Sequence, residues 1–218
     1  MKLVRIWFKK QGTARYISHL DLNRCVMRAF QMAKIPLWHT QGFHPHPFIT
    51  FALPLPLGVS GDRESLDIKL EEEISNDHLL SRLNHCLPAG IEVTGVTEPV
   101  MKPGAIAAAS YRITLDADGK SPAEMAENIS RLFSQTDIIV PKRSKSGVHD
   151  VNLKKWLQNT TLQEGEDCVQ IRALLPAGSV ENVSPNLLLT AIKMYLYPEA
   201  FAKTERLCMF DGEGKEFA

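Results

Sequence analysis

The sequence predicts an α+β fold made of two tandem ferredoxin-like domains, each with the element order β-α-β-β-α-β. Three observations carry this. Short alternating runs with strand periodicity interleave with longer runs at helical spacing. The order β-α-β-β-α-β is complete by Val96, and it recurs more weakly in the second half. Between the halves, Pro99 to Ala108 holds Pro103, Gly104 and a run of small residues, the composition of a joint. Domains are therefore expected at 1–103 and 104–218.

Each element has its own reason. Leu3, Arg5 and Trp7 alternate with Val4, Ile6 and Phe8, so Lys2 to Lys9 reads as a strand partly buried on both faces, and Gln11-Gly12-Thr13 breaks it. Ser18 and, three residues on, Asp21 offer oxygen acceptors to the free amides of a helix start. Leu22, Val26, Ala29, Phe30 and Ala33 follow at helical spacing until Pro36 ends the run. Leu37 to Thr40 and Phe48 to Leu53 read as strands on either side of a proline-locked loop. From Glu64 to Glu71, Leu66, Ile68 and Leu70 alternate with Asp67, Lys69 and Glu71, the pattern of a half-buried strand. Ser75 caps a helix carrying Leu79, Leu80, Leu83 and Cys86; Pro88-Ala89-Gly90 stops it, and Ile91 to Val96 is a strand. The core of this half is expected to hold Leu22, Val26, Phe30, Phe51, Leu66 and Ile68.

In the second half Tyr111 to Leu115 alternates as a strand. Ser121, Pro122 and Glu124 supply an N-cap, an N1 proline and an N3 acid to a helix with Met125, Ile129, Leu132 and Phe133. Ile138 to Val140 is a strand, Pro141 to His149 a polar stretch, and Val151 to Leu157 either a strand or a short helical turn. Cys168 to Leu174 is a strand. Ser184-Pro185 opens a helix with Leu188, Leu189, Ile192 and Leu196, and Glu205 to Phe210 is the last strand.

Composition narrows the function classes. The chain has 218 residues, 44% of them hydrophobic, and its 25 Lys plus Arg balance 25 Asp plus Glu. No global charge draws it to nucleic acid or membrane, so any such binding needs a local patch. MKLVRIWFKK lacks the apolar core of a signal peptide, and no run of about 18 apolar residues occurs, so a cytoplasmic protein without a membrane span is expected. Cys25, Cys86, Cys168 and Cys208 have no short spacing, which excludes CxxC zinc half-sites and the CxxxCxxC of a radical SAM iron–sulfur cluster. They are expected as buried, reduced thiols. Walker, GxSxG, HExxH and GxGxxG motifs are also missing.

Candidate site residues concentrate between Arg15 and Gly58. Arg15, Ser18 and His19 lead into the first helix, where Asp21, Arg24, Arg28 and Gln31 share the face opposite the apolar stripe. Arg24 and Arg28, one turn apart, form a fork for phosphate or carboxylate, or a solvated face with Asp21. Gln41, Gly42, Phe43, His44 and His46 sit on a loop stiffened by Pro45 and Pro47, which lowers the entropic cost of presenting them. Phe43 there either stacks on a base or anchors the loop in the core. His19, His39, His44 and His46 invite a metal reading, a catalytic one, or a structural one. No acidic ligand lies nearby in sequence, so no metal or other cofactor is expected. Lys142, Arg143 and Lys145, with Lys154 and Lys155, form the basic cluster: a phosphate-tracking loop or a solvated one. The topology is expected to bring Ser18, His19, Arg24 and the His44/His46 loop to one edge.

The strings RYISHLDL, QGFHPHP and FALPLPLG, followed by ESLDIKL, resemble the signature of the radical-SAM-associated family, across roughly the first 70 residues. Members of that family resemble stand-alone chains or C-terminal extensions of cobalamin-type radical SAM proteins. The resemblance implies a partner, a radical SAM enzyme, and carries over no biochemical activity. The expected function is therefore a non-catalytic accessory protein that binds RNA or presents substrate. The alternatives are a metal-independent ribonuclease-like enzyme using His19 or His44, and a protein-interaction domain docking through QGFHPHP.

Overall fold

In the computed structural model, which describes residues 1–144 and 147–218, the alternation at the N-terminus becomes β1 (Lys2–Lys10). A 3-10 turn, Gly12–Tyr16, leads to α1 (His19–Met32). β2 (Ile49–Phe51), β3 (Val59–Leu70), α2 (Asn76–Cys86) and β4 (Ile91–Thr97) follow. Ser18 caps α1 as expected, its Oγ accepting from the Asp21 amide at 3.1 Å. β1 lies between β4 and β3, β2 pairs with β3, and all three pairings are antiparallel. Leu22, Val26 and Phe30 of α1 and Leu79 and Leu83 of α2 pack on Val4, Ile6, Phe8, Leu66 and Ile68, with Phe51 partly buried against them.

Residues 206–218 complete this first unit, which comprises Met1–Ile106 and Arg206–Ala218. Two buried ion pairs complete it, one on each face of the sheet: Arg5 and Asp67 lie on the face away from the helices with Trp7, while Glu64, opposite Phe8 and in step with Leu66, lies on the helix face. Arg5 donates from Nε to Asp67 Oδ1 at 2.7 Å and from Nη2 to Oδ2 at 2.9 Å. It also donates to the carbonyls of Met101 and Ala218, each at 2.7 Å, with Phe217 4.2 Å from its guanidinium carbon. Arg206 binds Glu64 through both carboxylate oxygens and donates to the carbonyls of Leu53 at 2.8 Å and Pro54 at 3.3 Å. Glu64, Ser65 and Asp67 are therefore buried, and β3 is not the half-exposed strand its alternation predicts. The carboxylates are polar by type but matched in place, which periodicity does not register.

The second unit is Ala107–Glu205. It contains β5 (Ile106–Asp116), α3 (Pro122–Ser134), β6 (Ile139–Ser144), β7 (Gly147–Asn152) and a 3-10 turn at Lys154–Trp156. β8 (Thr160–Glu164), β9 (Cys168–Pro176), α4 (Asn186–Tyr195) and the first residues of β10 (Ala202–Asp211) follow. Its strands run β10-β5-β9-β8, while β6 and β7 form a separate antiparallel ribbon. Ile113, Leu115, Ile129, Ile171, Leu188 and Ile192 form its interior. Glu205 ends this unit and Arg206 returns to the first, so the chain passes between them within β10.

The architecture is thus mixed α/β, with mostly antiparallel pairing and four helices among the described residues. Two stretches differ from expectation. The small residues read as a joint are partly strand: Ile106 opens β5 and is buried, and Ala108 pairs with Pro176. Alanine has little intrinsic strand preference, so the neighbouring strand decides. The described residues of the polar stretch, 141–144 and 147–149, belong to the β6–β7 ribbon, whose mostly exposed residues have no apolar alternation to display. No helix among the described residues is long and apolar enough to cross a membrane.

Candidate functional site

The proline-rich loop is a short hairpin. Leu37 bridges Leu70, and the Trp38 amide donates to the Lys69 carbonyl at 2.9 Å, which fixes its root to the end of β3. His39 bridges Pro47, and the Phe48 and Thr40 amides donate across to Trp38 and His46, both at 2.9 Å. Trp38 and Phe48 meet edge-on at 6.3 Å, and Lys69 Nζ lies 4.7 and 4.8 Å from their ring centres. Nearer the tip, Thr40 Oγ1 accepts from the His46 amide at 3.2 Å and lies 3.0 Å from His46 Nδ1, which is also 3.1 Å from the His44 carbonyl. A proton on Nδ1 serves the carbonyl, so His46 braces the turn. Gly42 has φ 143°, where a side chain would be strained.

On this frame Phe43 is 101% exposed. Of the two sequence readings, core anchoring is excluded: the ring stands free at the tip, between exposed Gln41 and His44. An aromatic side chain in full contact with water on a braced turn costs apolar hydration and returns nothing to the fold.

The helix start is built differently. Ser18 Oγ donates to Asp21 Oδ2 at 2.7 Å, and Arg24 donates to Asp21 Oδ1 at 3.1 Å. These bonds hold the Asp21 carboxyl below its usual range. Arg24 and Arg28 are exposed, and Arg28 makes no ion pair among the described residues. Leu20, an exposed apolar residue, lies one turn before Arg24 on the same stripe, and Tyr16, also exposed, ends the 3-10 turn ahead of the cap. Arg15 lies 4.6 Å from the Tyr16 ring, and its Nε is buried without a partner.

His19 faces inward. Its ring meets Phe51 at 5.0 Å, and its Nδ1 is buried without a hydrogen bond. Burial first, then the Lys10 and Arg206 charges, push the imidazole below its usual range. Lys10 is fully buried, donating to the Ile17 carbonyl at 3.1 Å and the Arg15 carbonyl at 3.4 Å; desolvation lowers its pKa against the pull of Glu64. Lys10, Glu64 and Arg206 were not legible as a group, because they come from three strands far apart in sequence. The order of charged residues in β1, β3 and β10 carried no signal of their meeting.

The expected single edge is longer than foreseen. Ser18 sits beside the Lys10 end of the sheet, where Lys10 pairs with Gly61, while the hairpin springs from the Leu70 end. α1 spans about 20 Å between them. His19 alone reaches β2, through Phe51, and no hydrogen bond or ion pair among the described residues joins Arg24 or Arg28 to the hairpin. In the second unit Lys142 donates to the Asn182 carbonyl at 3.1 Å and Arg143 is exposed on β6; Lys145 lies outside the described residues. Lys154 donates to the Phe133 and Ser134 carbonyls at the end of α3, and Lys155 pairs with Glu181 at 2.7 Å, so much of the basic cluster is committed to the fold. The four cysteines form no disulfide and are half-buried, with burial raising Cys25 and Cys208.

A family described as "Uncharacterized protein conserved in bacteria" (DUF2344) matches residues 3–185, which takes in α1, the hairpin and the β6–β7 ribbon. The chain belongs to DUF2344. The DUF2344 match ends before α4 and β10, so Arg206, the partner of Glu64, lies beyond it. No curated protein matches the chain. Among solved structures, a chain from the crystal structure of a Cbf5-Nop10-Gar1 complex is similar, with TM-score 0.51 and 12% identity over 97% of this chain and 50% of that one. At that identity the likeness is one of fold, and the DUF2344 chain spans half the length of that relative.

Proposed function

We propose that this chain is a cytoplasmic, non-catalytic accessory protein that works with a radical SAM enzyme and binds RNA through the hairpin of residues 37–48. The observation that carries the binding role is Phe43, fully exposed on a turn held by Thr40, His46 and two prolines. Such a ring offers a stacking face to an unpaired base, and the preformed turn lowers the ordering cost. Exposed Arg24 and Arg28 on α1 add phosphate-binding charge in the same unit. The radical SAM partner rests on the sequence signature. We read each unit as ferredoxin-like: β4-β1-β3-β2 in the first, and β10-β5-β9-β8 in the second, with β6–β7 inserted.

Binding of an unstructured RNA by the parent and Phe43→Ala, followed by fluorescence anisotropy, tests this. A stacked base contributes about 1–3 kcal/mol, so the variant should bind roughly 5- to 150-fold more weakly with an unchanged melting temperature. Equal RNA binding by both would remove RNA from the reading. Loss of the enzyme partner alone would leave a protein-interaction domain. The orphaned Nδ1 of His19, beside Lys10 and Arg206, favours one further reading, a ribonuclease-like enzyme. That reading requires RNA cleavage that His19→Asn abolishes while binding survives.

A further inference from the structure

We propose that the second unit binds a polyamine in the cavity between the turn after β5 and residues 196–201. This site is independent of the hairpin and of the proposed RNA role. The cavity holds about 520 Å3, within the range of sites for small organic molecules. Its floor is apolar, formed by buried Met125 of α3 and Ala117. Two aromatic rings stand in its walls. The Tyr197 hydroxyl accepts from Asn128 Nδ2 at 3.0 Å, which holds that ring in place, and Phe201 is left 53% exposed.

The rim supplies the charge. Asp116, Asp118 and Glu199 stand against a single Lys120, so three negative charges less one positive leave an excess of two. None of the four makes an ion pair among the described residues. In a chain of zero net charge this excess is local. The Asp116 amide donates to the Phe201 carbonyl at 3.1 Å, tying the two walls together.

These features select one chemistry. A metal ion needs ligands converging on a point, and no group of three or more potential ligands does so among the described residues. Carboxylates spread around an apolar floor suit positive charges separated by a carbon chain. The methylenes of a polyamine would cover Met125 and Ala117. Its ammonium groups would meet the carboxylates and the faces of Phe201 and Tyr197.

Calorimetric titration of the full chain with spermidine decides the matter. The parent should bind one equivalent with a dissociation constant below ~1 mM. Asp118→Asn with Glu199→Gln should weaken it at least about tenfold, and Phe201→Ala by about two- to fivefold. The neutral 1,6-hexanediol should give no binding heat. Absence of saturable binding by the parent would overturn the proposal, as would a double variant that binds spermidine like the parent. So would displacement of spermidine by an equal concentration of magnesium, which would mark the rim as a diffuse counterion surface. Nα-acetyl-lysinamide binding as tightly as spermidine would assign the cavity to a partner's lysine instead. Should the double variant melt early, the single Glu199→Gln and Phe201→Ala variants answer the same question.

Discussion

His19 shows what a single position can and cannot declare. Its place beside Ser18 and Asp21 reads as a helix start, and the cap is there. Its burial against Phe51, between Lys10 and Arg206, depends on strands that no local pattern connects. The same is true of Glu64, which reads as a surface charge until Arg206 arrives from 142 residues away. The environment of His19 has a thermodynamic consequence. Its folded pKa lies below the ordinary 6.5, so the unfolded chain binds its proton more readily. Stability from this group is present above pH 6.5 and is lost as pH falls through that value towards the folded pKa. Urea unfolding at a series of pH values from about 7.5 to 5 should show this decline. His19→Gln should flatten the decline; an unchanged slope in the variant would show that another group carries it.

At the scale of elements, helices and strands with strong local signals were legible: the capped starts of α1, α2 and α3 all use the serines that the sequence offers. The two arms of the hairpin were read as strands around a loop, but the β6–β7 ribbon beyond Val140 was not legible, since an exposed ribbon lacks a buried face to set a period. Nor was the treatment of the β4 edge. Asn84 Oδ1 accepts from the Val93 amide at 2.7 Å and its Nδ2 donates to the Val93 carbonyl at 2.9 Å; Asn76 donates to the Val96 carbonyl at 3.1 Å. Two asparagines from α2 thus occupy main-chain groups that would otherwise offer themselves to another strand. Asn84→Ala should lower stability by about 1–3 kcal/mol in denaturant unfolding, because two bonds are lost at a partly buried site. It should also raise concentration-dependent association by light scattering. A variant as stable and as monodisperse as the parent would show the edge to be protected by other means.

For the molecule as a whole, element order was readable, but the ownership of the last segment was not. Residues 206–218 belong with residues 1–106, supplying Arg206 to Glu64, Phe217 to the Trp7 and Arg5 side chains, and the Ala218 carbonyl to Arg5. A fragment of residues 1–106 should therefore show no cooperative thermal transition and little near-ultraviolet circular dichroism. Leaving the Glu64 carboxylate buried and unpaired costs about 3–5 kcal/mol, a large part of the ~5–15 kcal/mol that holds a typical domain. A sharp melt of that fragment would contradict this. The same arrangement sets a timetable in the cell. About a hundred codons separate Ile106 from Arg206, so at ~5–20 residues per second the first half waits roughly 5–20 s on the ribosome for its missing pieces. That interval is spent making the second half, which ends at Glu205, so its last strand and the missing pieces of the first unit leave the ribosome together and the leading end loses its usual head start.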